Sequence, residues 1–260
     1  LKKINGNYKN GIYKENWGSQ GEDFMHAFVP PVTSMHFSAV DLQKYIYDMF
    51  KDRVKIVEES VSPYEVDADF VMNATGTPKD FSEFHKSDYI PVNAAHVVQC
   101  DWDYPRFDYT LAYAGRHGWI FGIPLQNRCS IGYLYNKDIS TIEDLQQDMQ
   151  DVFKKYNLTP SSQPNNLNFN HYFRKNNFED GGRIVHNGNA SFFLEPLEAL
   201  SFAVTGKVYH HAAAVWKGNM DVEVANRDYI DYLKEIEFMI MMHYAVGSRF
   251  DTPFWDYAKK

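Results

Sequence analysis

The stretch that most constrains this chain is Gly188–Phe202, which reads Gly-Asn-Ala-Ser-Phe-Phe-Leu-Glu-Pro-Leu-Glu-Ala-Leu-Ser-Phe. A Gly-Asn-Ala turn leads into the apolar run Phe192–Leu194. Glu195 and Glu198 then flank Pro196 and Leu197. Leu200, Phe202, Ala203 and Val204 predict a buried helix. Proline is tolerated in a first helical turn, where its missing N–H costs nothing. Pro196 and Glu198 are therefore expected at a helix N-terminus, which attracts anions through unpaired N–H groups and the positive end of the dipole. On spacing alone, an ordinary helix start with a dipole-matched glutamate is the preferred reading.

The remaining pattern predicts an α/β protein. Leu1–Gly18 alternates polar and aromatic residues and reads as a strand or hairpin carrying Lys9. Phe24-Met-His26-Ala-Phe28 follows, and Pro30-Pro31 breaks the chain. Ser38–Asp52 predicts an amphipathic helix capped by Ser38, with Leu42, Tyr45, Ile46, Met49 and Phe50 on its core face. Val54–Glu58 reads as a short strand, and Ala68–Gly76 as a buried strand ending in a Gly turn. Ligands of such sheets sit at strand C-terminal ends, where Gly76 would let a cofactor approach the backbone. Gly118–Leu125 and Cys129–Tyr135 form a predicted hairpin. Ser140–Tyr156 is expected to be a helix with a Ser140–Glu143 capping box, burying Ile142, Leu145, Met149, Val152 and Phe153. Leu158–Asn177 reads as loop plus edge strand, Ile184–Val185 as a strand, and helices are expected to about Trp216 and over Asp228–Ala245.

Composition excludes several classes. A net charge of −8 argues against nucleic acid. Cys100 and Cys129 are the only cysteines, without a CxxC, so a reducing, cytoplasmic location is expected and no zinc site is implied. No run is long and apolar enough for a membrane span. His210 and His211 are adjacent and would face different ways on a helix, so they make no metal pair. There is no GxGxxG, P-loop or HExxH.

Individually weak, these signals occur in an informative order. Asn7-Tyr-Lys-Asn-Gly-Ile-Tyr13 with Trp17, then His26-Ala-Phe28, resembles the lysine segment and following histidine of flavin-dependent tryptophan halogenases. Gly118-Trp119-Ile-Phe121-Gly-Ile123-Pro124-Leu125 is similar to that family's WxWxIP signature, and Phe193–Glu198 to its FxEPLES segment. His243-Tyr244, Arg249 and Asp251-Thr-Pro-Phe-Trp255 resemble a later helix end. Ala74-Thr75-Gly76 and Gly188-Asn189-Ala190 look like two flavin-contacting turns of the wider flavin-monooxygenase fold.

The resemblance implies an FAD/NAD(P)-binding, flavin-monooxygenase-like α/β fold with a mixed or antiparallel substrate sheet and C-terminal helices. The expected layout is one core over 1–260. Residues 1–36 carry the lysine, 37–80 and 181–216 form the flavin side, 81–180 the substrate sheet, and 217–260 the terminal helix. Reduced FAD, supplied by a separate flavin reductase, would with oxygen convert chloride or bromide into hypohalous acid. That oxidant crosses a tunnel to the lysine and halogenates an electron-rich ring such as tryptophan or indole; no metal is involved. Lys9 matches the catalytic lysine, and Glu198 the glutamate that positions the oxidant and stabilises the cationic ring. His26 matches a substrate-stacking histidine, with Trp119 and Phe121 in the substrate wall. Thr75, Gly76, Gly188, Asn189 and Ala190 match flavin contacts. Leu200 and Ser201 match positions whose backbone N–H groups bind halide.

The chain departs from the family pattern in five places, one of them the short segment between Phe28 and His36, where the family carries an insertion. The strand–GxGxxG–helix unit that binds the ADP half of FAD has no counterpart here, so the fold is expected to be incomplete. The region covering the substrate after Asp251–Trp255 is likewise missing, and such gaps would expose apolar surface and favour a homo-oligomer. Ala199 stands where the family has serine, and Phe121 replaces the second Trp of the signature. The alternatives are a flavin monooxygenase that hydroxylates or epoxidises, and a non-enzymatic, degenerate flavin-fold protein.

Overall fold

The computed structural model of the protein describes residues 2–27, 34–197 and 199–260. In chain order the elements are β1 (Asn7–Lys9), β2 (Gly11–Trp17), β3 (Glu22–Ala27), β4 (Ser34–His36), α1 (Ala39–Phe50), β5 (Val71–Asn73), β6 (Phe84–Ser87), β7 (Ala94–Asp101), β8 (Thr110–Gly115), β9 (Gly118–Pro124) and β10 (Arg128–Tyr135). There follow α2 (Gln146–Lys155), β11 (Asn165–Asn168), β12 (His171–Arg174), β13 (Phe178–Glu179), β14 (Ile184–His186), β15 (Phe192–Phe193), α3 (Ser201–Trp216), α4 (Val222–Val246) and α5 (Pro253–Ala258). They divide into two compact units, one of residues 1–57, 91–169 and 244–260, the other of 58–90 and 170–243.

The first unit is built on a seven-stranded sheet ordered β11-β7-β10-β9-β8-β2-β3. Its centre is the expected hairpin: β9 and β10 pair antiparallel, with Gly132 opposite Phe121, and Leu125 N–H donates to Arg128 O at 2.8 Å to close the turn. Strand alternation sends Cys129, Ile131, Tyr133 and Tyr135 to one face, where Leu145, Met149, Val152 and Phe153 join them in one core. Asp148 of α2 is fully buried there and accepts from Tyr133 Oη at 2.7 Å, from the Arg116 backbone N–H at 2.6 Å and from the Arg116 guanidinium. The Asp-Thr-Pro-Phe-Trp segment becomes α5, with Thr252 at the N-cap and Pro253 at its start. Thr252 Oγ1 donates to Arg116 O at 2.6 Å, and Trp255 Nε1 to Gly115 O at 2.8 Å. Those two bonds fasten the chain's last helix to the β8–β9 turn.

The second unit holds two small sheets, β15-β12-β6 and β13-β14-β5. Within the latter, β14 and β5 run parallel, with His186 opposite Asn73. Phe178 packs by His211, and Tyr229, fully buried, donates to Ser191 O at 3.0 Å.

Several expectations need correction. Ser38 does cap α1, its Oγ accepting from Asp41 N–H at 3.3 Å. Yet α1 has no buried residue, and Tyr45, Ile46, Met49 and Phe50 are exposed. A periodic apolar face specifies a stripe, not the surface that covers it. Residues 54–58 form no strand and are exposed. The buried strand expected over 68–76 shrinks to Val71–Asn73. Ser140 does not open a capping box: it bonds His117 Nδ1, while Asp144 accepts from Thr141, and α2 begins at Gln146. Pro196 is not in the first turn of α3. Pro196 O accepts from Ala199 N–H at 2.8 Å in a separate turn, Ala199 has φ of 53°, and the helix starts at Ser201. In α3, Val204 is buried but Phe202 and Ala203 are exposed. The later helix starts earlier than expected, at Val222.

Candidate functional site

Two turns leave the C-terminal ends of the parallel pair β5/β14 side by side. Asn73-Ala74-Thr75-Gly76 follows one strand and Asn187-Gly188-Asn189-Ala190 the other. Both asparagines fold back on the backbone, a known habit of this side chain. Asn73 Oδ1 accepts from Thr75 N–H at 3.1 Å, and Asn187 Oδ1 accepts from Gly188 N–H at 2.8 Å. The turns are laced together, because Asn187 N–H donates to Asn73 O at 2.8 Å and Asn73 Nδ2 lies 2.9 Å from His186 Nδ1. Tyr172 Oη reaches from β12 to donate to Asn189 O at 2.9 Å.

Both glycines are required by geometry. Gly76 has φ of 92° and Gly188 of 56°, and a β-carbon built on either meets no atom within 4 Å. The backbone there is left-handed and faces open space, so a planar ligand can lie directly against it. Thr75 and Asn189 are exposed beside them, and Ala190 is buried. Behind the turns, burial would push the Glu179 carboxyl upward. Bonds from His186, Tyr64 and Arg174 outweigh that and hold it down at about 2. Glu179 is thus a fixed negative charge, ion-paired to Arg174 at 2.7 Å.

In the same unit, Leu200 is the N-cap of α3 and Ser201 its first residue, half-buried and exposed respectively. Leu200, an apolar residue, offers no side-chain cap. The leading N–H groups of any α-helix lack intrahelical acceptors, so this is an anion-compatible terminus. Glu195 is buried on the approach to it. Glu198 lies outside the described residues.

The other predicted residues belong to the first unit. Lys9 closes β1 and is half-buried opposite Ser34. Its neighbour Asn10 is pinned to the sheet, the backbone N–H donating to Asp108 O at 2.7 Å and Nδ2 to the Asp108 carboxylate. His26 pairs with Ile12 on the edge strand β3 and is exposed, with Phe24 and Met25 exposed beside it. Trp119 is buried in β9, whereas Phe121, two residues on and on the same face, is half-buried with its ring 6.3 Å from that of Trp119. The Phe121 ring covers Gly132, where an added β-carbon would come within 2.2 Å of it. Three residues were missed from sequence: Asn73, Tyr172 and His36. Asn73 had a local signal, an Asx residue at the end of an apolar strand. The other two act across pairings that no local pattern reveals.

The architecture is that of flavin-dependent halogenases, with the FAD-binding fold of that class. It superposes on MibH, a lanthipeptide tryptophan 5-halogenase, with a TM-score of 0.82 at 18% identity, over 99% of this chain and 63% of that one. For BrvH, a flavin-dependent halogenase from Brevundimonas sp. BAL3, the TM-score is 0.78 at 18% identity, over 99% and 69%. The family model for tryptophan halogenases matches residues 47–260, and the chain belongs to that family. Tryptophan 7-halogenase RebH of Lentzea aerocolonigenes is 26% identical over 152 residues, 56% of this chain and 28% of RebH. Tryptophan 6-halogenase SttH of Streptomyces toxytricini is 29% identical over 159 residues, again 56% and 28%. The matched stretch thus spans little more than a quarter of these two relatives.

Proposed function

We propose that this chain carries the halogenating core of a flavin-dependent halogenase acting on an electron-rich aromatic such as tryptophan or indole. The observation that supports it most is the pair of open glycine turns at the C-terminal ends of adjacent parallel strands, where α/β sheets bind their cofactors. Thr75, Gly76, Gly188, Asn189 and Ala190 would hold FAD there, the two glycines leaving the backbone of the turns open to it. The phosphate cradle of a GxGxxG turn has no counterpart in these 260 residues. Bound reduced FAD, recharged by a separate reductase, would supply two of the four electrons that oxygen takes up as chloride or bromide becomes hypohalous acid.

The chain's own residues then have distinct tasks. Backbone N–H groups at Leu200 and Ser201 would hold halide at the helix terminus. Lys9 would hold or carry the electrophilic halogen; its amine is a compact donor and nucleophile. Glu198 would oppose the positive charge of the ring intermediate. His26 would stack on the substrate, and Trp119 and Phe121 would exclude water that dissipates the oxidant. The net change replaces an aromatic C–H by C–halogen and releases water. We assign 37–80 and 181–216 to the flavin side and 81–180 to the substrate side of one core, working in the cytoplasm and capable of self-association.

An FAD titration followed by flavin fluorescence tests the cofactor, and halide-dependent product formation tests the reaction. Saturable binding with a halogenated product is expected, and Lys9→Ala should abolish product while flavin reoxidation continues. Unchanged product in that variant would overturn the assignment. Oxygenated product without halide dependence would select a monooxygenase, and a chain that binds no flavin would select the non-enzymatic alternative.

A further inference from the structure

The strand that carries Lys9 brings a second polar side chain to the same place. In the β1/β4 ribbon Lys9 pairs with Ser34 and Asn7 with His36. Residues two apart on a strand share a face, so His36 stands on the face of Lys9, one diagonal step away. It is half-buried and anchored, with Nε2 3.0 Å from Thr110 Oγ1 at the start of β8. Asn10 is fixed to Asp108 two residues earlier, so both strands of the ribbon are tied to one short stretch of chain. Burial and the positive field of Lys9, offset in part by the Pro124 carbonyl, hold the imidazole pKa at about 4. The ring is neutral at neutral pH, and one nitrogen must be an acceptor. The tautomer that donates from Nε2 to Thr110 leaves Nδ1 as that acceptor. Nδ1 is buried and makes no hydrogen bond among the described residues.

We propose that His36 is a positioning residue for Lys9, its ring anchored on Thr110 and its Nδ1 serving as the acceptor that orients the lysine amine. The role in catalysis rests on the halogenase function proposed above; the pairing of the two side chains does not. A lysine that must meet a diffusing oxidant and then an aromatic carbon gains from a fixed direction, since misplacement by about 1 Å is worth on the order of a hundredfold in rate.

Two experiments on the whole chain separate these levels. Long-range nitrogen–proton NMR at neutral pH should show the His36 proton on Nε2, and Lys9→Met should raise the His36 titration midpoint by about half a pH unit. A proton on Nδ1, or a midpoint unmoved by Lys9→Met, overturns the pairing. In the second, reduced FAD, bromide and tryptophan or indole are supplied, and halogenated product is counted per flavin oxidised. His36→Leu should lower that ratio about tenfold without changing FAD affinity, and His36→Gln, which keeps an acceptor, should recover part of it. An unchanged ratio in His36→Leu overturns the positioning role. A wild-type chain that makes no product counts against the halogenase function, and the NMR result then decides the pairing alone.

Discussion

The seven-stranded sheet and the β5/β14 pair represent two ways of holding a backbone. In the sheet, β9 and β10 are joined by a short turn and pair over their whole length, so the chain's local alternation fixes the register. The parallel pair has three residues in each strand, joined across a long separation. Its ladder, extended by the backbone bond from Asn187 N–H to Asn73 O, is too short to fix two turns unaided, and side chains complete it: Asn73 with His186 and Thr75, Asn187 with Gly188, and Tyr172 with Asn189. Long-range backbone order is thus bought residue by residue where the candidate cofactor turns lie.

That contrast can be broken most directly at Asp148. Asp148→Ala would strand the buried Tyr133 hydroxyl and the Arg116 N–H, and should cost about 4 kcal/mol in urea unfolding. A loss as small as that of a surface change would mean the sheet's core does not depend on this carboxylate. Acid should strike the second unit through His171, whose burial lowers its pKa to about 4. The folded value lies below the unfolded one, so stability is full above about pH 6.5 and falls as pH drops toward 4, by about 2 kcal/mol near pH 5. His171→Phe should flatten that limb in a pH series of unfolding curves. Gly132→Ala would drive a β-carbon into the Phe121 ring and should cost about 2 kcal/mol, with a change in near-ultraviolet circular dichroism. The smallest stability effect, about 1 kcal/mol, is expected for Asn73→Ala, but with weakened FAD binding. Intact FAD binding in that variant would show that the ladder alone holds the turns.

The same difference explains what was legible in the sequence. Hairpin β9–β10, the Ser38 cap and the core face of α2 rest on contacts near in sequence, and each was readable from periodicity or spacing. The motifs around Lys9, Trp119 and Pro196 were readable as a family pattern. The site's supports were not. Asn73 meets His186 across 113 positions and His36 meets Thr110 across 74, and nothing local marks such partners. The start of α3 was misplaced because Pro196 suits a helix's first turn as well as the separate turn it occupies. Ala199, with its positive φ, interrupts the chain in between, a conformation that alanine's identity does not announce.

The solvent exposure of α1 has a practical consequence. A helix of 12 residues without a buried side chain draws little on tertiary contacts and is marginal by itself in water. It is followed by an exposed stretch to Val61, and the two together offer Lys44, Lys51, Arg53 and Lys55 to trypsin. Cleavage there would place the Lys9 strand on a separate peptide from the hairpin and the turns after β5 and β14. That peptide also carries β2, paired with β8 in the seven-stranded sheet, so a nicked sample would hold together under native conditions and reveal the cut only in denaturing mass spectrometry, which should precede any assay.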